Sequence, residues 1–109
     1  MPPSLLVTAP DPELPAMLSG TFQRATFATV EQLRAVLTIK PGSMVIVLDE
    51  SQAELLVGLR RRDVRAVALV TPKSIPIIFR PPIVAVVERP LRAPQVVAAI
   101  NQALGELGP

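Results

Sequence analysis

The chain contains no cysteine, histidine, tyrosine or tryptophan, and three phenylalanines are its only aromatic residues. Lack of cysteine rules out disulfides, thiolate nucleophiles and cysteine zinc sites, and fits a cytoplasmic setting. Lack of histidine rules out a Ser-His-Asp triad, an imidazole metal ligand and an imidazole base from this chain. Acid–base work is left to three Asp, six Glu and two Lys. Net charge is only +2, and the basic pI reflects arginine outnumbering lysine. With so few rings for base stacking, the composition does not point to nucleic acid. The run Arg60-Arg61-Arg62 reads instead as the last turn of a helix, where cations complement the helix dipole. No apolar run approaches the roughly 18 residues that a membrane span requires. The opening MPPSLLVTAP has neither a basic n-region nor a long apolar h-region, so it does not read as a signal peptide. No membrane association is expected.

At 109 residues, half of them apolar, the chain suits one domain with a substantial core. Strand-like and helix-like segments alternate along it. Ser4 to Val7 is a short apolar strand. Asp11, Pro12 and Glu13 read as N-cap, first helical position and acidic first turn of a short helix that carries Leu14, Met17 and Leu18 inward. Phe22 to Ala28 has the mixed polarity of an edge strand. Thr29 and Gln32 have capping-box spacing, and Val30, Leu33, Val36 and Leu37 mark one face of the helix that follows. KPG at 40–42 is a turn. Met44 to Leu48, Val64 to Val70 and Ile83 to Val87 read as strands, and Ser51 to Arg62 as a helix with Leu55, Leu56 and Leu59 inward. A last helix from Pro94 carries Val96, Val97, Ile100, Leu104 and Leu107 at spacings of three and four.

The third, fourth and fifth strands are apolar at nearly every position, the pattern of parallel strands covered on both faces. With helices between them, they predict a doubly wound parallel sheet. Sites in such sheets form beyond the carboxyl ends of the strands. Here those ends carry Thr8-Ala9-Pro10-Asp11, Asp49-Glu50, Thr71-Pro72 and Glu88-Arg89-Pro90.

This set of strand ends resembles the receiver domain of bacterial two-component response regulators. VIVLD matches the apolar third strand ending in the phosphoacceptor, at Asp49. ALVT matches the fourth strand ending in Thr or Ser, at Thr71. VVERPLRAPQVVAAINQAL matches the fifth strand and last helix, with Arg89 in place of the family's Lys before Pro90. The resemblance covers essentially the whole chain. It implies a flavodoxin-like, doubly wound five-stranded parallel sheet of order 2-1-3-4-5, and a cis Arg89-Pro90 bond.

Three departures qualify what else it implies. Ala9 and Pro10 stand where the family has paired metal-binding acids, and Asp11 is one position beyond them. The loop that follows the phosphoacceptor is missing, because Asp49 runs through Glu50-Ser51 into a helix. Between strands 4 and 5 the prolines of TPKSIPIIFRPP shorten or abolish helix 4. Phosphoryl transfer to a carboxylate needs a cation to offset charge repulsion, and Asp49 with Glu50 makes a poor Mg²⁺ site. Arg89 could form a bidentate pair with Asp49.

The residues therefore favour a pseudo-receiver, a non-enzymatic signalling domain without a cofactor, in which Asp49 pairs with Arg89 or caps the next helix. Asp11, Glu50, Thr71 and Arg89 complete its pocket. An active receiver using Mg²⁺ and phosphorylated on Asp49 is the alternative, with Thr71 bonding a phosphoryl oxygen. A flavodoxin-like small-ligand binder is a third reading, although no phosphate-cradling glycine loop is present. Shortening helix 4 leaves Ile75, Ile77, Ile78 and Phe79 either to fold back over the sheet or to meet a protein partner, which includes a second copy in a homodimer. Val86, Leu91 and Arg92 would border that surface.

Overall fold

A computed structural model describes residues 4–22, 24–39, 42–52, 56, 63–72 and 82–107. Five strands form one sheet: β1 (Ser4–Val7), β2 (Thr26–Phe27), β3 (Met44–Asp49), β4 (Val64–Val70) and β5 (Ile83–Glu88). All adjacent pairs are parallel and the order is β2-β1-β3-β4-β5. Three helices are described: α1 (Leu14–Leu18), α2 (Val30–Ile39) and α3 (Ala93–Glu106). This is the flavodoxin-like α/β architecture expected from the strand pattern.

Side-chain alternation along the strands builds two separate cores. Leu5, Val7, Val45, Val47, Val67 and Leu69 face α1 and α3, where they meet Leu14, Leu18, Val96 and Ile100. Leu6, Met44, Ile46, Leu48, Ala66, Ala68 and Val70 face the other way, toward Leu33 of α2 and Leu56. Because both faces are covered, every residue from Met44 to Leu48 is buried. A continuous apolar run, rather than a period of two, is the sequence form that such burial takes. β5 departs from simple alternation: a register irregularity opposite Ala66 and Val67 lets Ile83 join one core and Ala85 the other.

The second helix begins as its capping box predicts. The Gln32 amide donates to Thr29 Oγ1 at 3.2 Å, and the Thr29 amide donates to Gln32 Oε1 at 2.8 Å. Leu33 is fully buried, while Val30, Val36 and Leu37 are half-buried. Gly42 has φ +127°, a conformation suited to glycine, and its amide donates to Asp63 Oδ2. The Arg89-Pro90 bond is cis.

Two local expectations are corrected. Asp11 does not cap α1, which starts at Leu14 with Glu13 as N-cap and no side-chain capping bond. The Leu14 amide donates to the Asp11 carbonyl, so residues 11–14 close a turn while the Asp11 carboxylate is engaged elsewhere. The second strand is only Thr26–Phe27. The amides of Thr21 and Phe22 bond Leu18 O and that of Ala25 bonds Phe22 O, which closes the preceding backbone into turns. Most of the expected helix from Ser51 to Arg62, including Leu55, Leu59 and the arginine run, lies outside the described residues. Leu56 is described and fully buried. The segment bearing Ile75, Ile77, Ile78 and Phe79, and with it the question of helix 4, also lies outside them.

Candidate functional site

The fold brings Asp11, Asp49, Glu50, Thr71 and Arg89 to one edge, just past the carboxyl ends of β1, β3, β4 and β5. Arg89 organises it. Its Nε donates to Asp11 Oδ2 at 3.1 Å and its Nη2 to Asp11 Oδ1 at 3.0 Å, a bidentate pair. Its Nη1 donates to the Leu69 carbonyl at 2.9 Å and lies 3.9 Å from Glu50 Oε1. The guanidinium thus joins the ends of β1, β4 and β3. Its pKa is raised, chiefly by the hydrogen bonds to Asp11, which outweigh the opposing cost of burial; the charges of Asp11, Glu50 and Asp49 add to the effect.

The expected pairing of Arg89 with Asp49 is therefore replaced by pairing with Asp11. The reason lies in what surrounds Asp49. Its Oδ1 accepts from Ser51 Oγ at 2.7 Å and from the Gln52 amide at 3.1 Å, closing the turn that follows β3. The other expectation for Asp49 is that it caps the following helix; the bonds described close a turn at residues 50–52, and most of that expected helix lies outside the described residues. Glu50 points toward β4: its Oε2 accepts from the Thr71 amide at 3.1 Å and the Thr71 hydroxyl at 3.0 Å.

Gln52 was not among the candidate residues, yet it is the buried polar centre of this edge. Its Nε2 donates to Thr8 O at 2.9 Å, and its Oε1 accepts from Thr8 Oγ1 at 2.9 Å and from the Asp49 amide at 3.3 Å. The one signal for it in the sequence is a glutamine three residues after a strand-end aspartate. No described residue leaves a buried side-chain nitrogen or oxygen without a hydrogen-bond partner.

A metal ion does not fit this donor set. Ala9 and Pro10 supply no carboxylate, Asp11 is held in the Arg89 fork, and a fixed guanidinium beside Glu50 opposes a second cation. Among the described residues, no group of three or more Asp and Glu side chains is arranged to hold one.

The residues expected to border a partner surface separate. Val86 and Arg92 line a groove of about 710 Å³ between β5 and α3, together with Gln95, Ala98 and Gln102. Leu91 is half-buried and packs against the α1/α3 core, as Val86 does against the opposite one. Among the described residues, no helix is long and apolar enough to cross a membrane. No family model matches the chain, and no curated protein matches it.

Proposed function

We propose that this chain is a receiver-like regulatory domain that acts through protein contacts in bacterial signalling, without phosphoryl transfer at Asp49. The sheet order and the strand-end positions of Asp49, Thr71 and Arg89 support the receiver-like part of this reading. One observation carries the rest: Arg89, which stands in the position of the family's lysine, is committed to Asp11, while Asp49 Oδ1 closes its own turn. An incoming phosphoryl donor would meet a carboxylate whose Oδ1 already holds two donors, and no metal-binding acid pair to offset its charge. The contact surface assigned to this function runs from residue 72 to residue 92, with Val86 and Arg92 on the groove beside α3. The partner is a protein, either a second copy or a separate chain.

Beryllofluoride with Mg²⁺, which mimics a phosphorylated aspartate, tests the reading by NMR. Amides from 47 to 52 should keep their positions through the titration. A saturable shift that disappears in Asp49→Ala would overturn it.

A further inference from the structure

Glu50 occupies an arrangement that the proposed function leaves unexplained. Its Oε2 takes two donors from a single residue, the amide and hydroxyl of Thr71, at 3.1 and 3.0 Å. Its Oε1 faces Arg89 Nη1 at 3.9 Å. A backbone N–H and a hydroxyl donating to one carboxylate, with a guanidinium charge 3.9 Å from its other oxygen, make an oxyanion seat, assembled from the ends of β4 and β5. Its occupant comes from the end of β3, one residue beyond Asp49, whose own carboxylate is turned away to Ser51 and Gln52.

We infer that Glu50 is a built-in anionic ligand that keeps the ends of β3, β4 and β5 in the arrangement a bound oxyanion would otherwise impose. The carboxylate is tethered to β3, so it reaches the seat at a high effective concentration. A free anion at millimolar level does not displace it. Thr71 opens the connection that leaves β4, and Arg89 stands just after β5 on the way to α3. The seat therefore sets the conformation of the chain on both sides of the surface assigned to partner contacts. The seat stands on its geometry alone; its meaning as a switch fixed in one position rests on the receiver-like reading of Asp49.

The test uses Glu50→Ala and the near-isosteric Glu50→Gln in the 109-residue chain, with sodium formate as the probe anion. In Glu50→Ala, hydrogen exchange at the Thr71 amide should accelerate about fivefold, as expected when one partly exposed, charge-assisted hydrogen bond is lost. Millimolar formate should then shift the Thr71 and Arg89 amides saturably and restore the slow exchange. Wild type should show no such response, and Thr71→Val added to Glu50→Ala should abolish it. Glu50→Gln, which keeps the shape but loses the charge, should accelerate exchange about twofold. It provides the measurement if the alanine variant does not fold. Unchanged Thr71 exchange in both variants, or formate binding to wild type as tightly as to Glu50→Ala, would overturn the inference. A beryllofluoride response at Asp49 in wild type overturns the phosphorylation-free reading, whereas the formate result decides the seat.

Discussion

Removing the Arg89–Asp11 pair should destabilise the domain by more than a surface ion pair could. The Asp11 side chain is 11% exposed and that of Arg89 26%, which places the pair between two well-characterised limits. Exposed pairs contribute about 0–1 kcal/mol, and breaking a fully buried one costs about 3–5 kcal/mol. Arg89→Ala removes both bonds to Asp11 and the one to Leu69 O, so a loss of about 2.5 kcal/mol is expected. Asp11→Ala leaves the guanidinium its bond to Leu69 O and its approach to Glu50, and should cost about 1.5 kcal/mol. Because the bidentate bonds are shared, the double variant should lose less than the sum, with a coupling energy of about 1.5 kcal/mol. Urea denaturation followed by far-UV circular dichroism measures this, since the chain has no Trp or Tyr to report by fluorescence. The companion cycle between Arg89 and Asp49 should couple by less than about 0.5 kcal/mol. A stronger coupling to Asp49 than to Asp11 would refute the description of this edge.

Three further outcomes follow from the same contacts. Gln52→Ala should cost about 2 kcal/mol in the same assay, because Thr8 O and the Asp49 amide lose their buried partner; a loss below about 0.5 kcal/mol would mean that the network is dispensable. Thr29→Ala should cost about 1 kcal/mol through the capping box, whereas Thr29→Ser, which keeps the hydroxyl, should retain most of that contribution. Arg89→Lys should make stability sensitive to alkali. With Arg89 the folded pKa lies above the ordinary arginine value, so the pair's contribution is complete below that value and is lost only as pH climbs through the raised one. A lysine, with an ordinary pKa of about 10.4, would lose the contribution as pH rises through about 10 to 11, which urea curves at several pH values would reveal.

The parallel sheet was legible because burial on both faces leaves a direct mark: MVIVL and VRAVALV admit few polar residues, and the helix capped by Thr29 and Gln32 carries its own start signal. Local rules failed where distant chain segments compete for the same group. Asp11 has the spacing of an N-cap, but an arginine 78 positions away takes its carboxylate. Nothing near Asp11 announces that partner. Asp49 and Arg89 stand at matching strand ends, yet the turn donors Ser51 and Gln52 claim the aspartate first. Nothing local marks Gln52, because its role depends on Thr8, 44 positions away across β1 and β3. The second strand is shorter than its edge-like polarity suggests, because the backbone amides before Thr26 are used in turns.

The central proposal is that Asp49, whose Oδ1 closes its own turn and which has no acid pair beside it to hold a metal, does not accept a phosphoryl group. Intact-mass measurement after incubation with acetyl phosphate and Mg²⁺ tests it most directly. The account predicts an unchanged mass for wild type, identical to that of Asp49→Ala treated in the same way. A mass gain of one phosphoryl group in wild type, absent in Asp49→Ala, would contradict it.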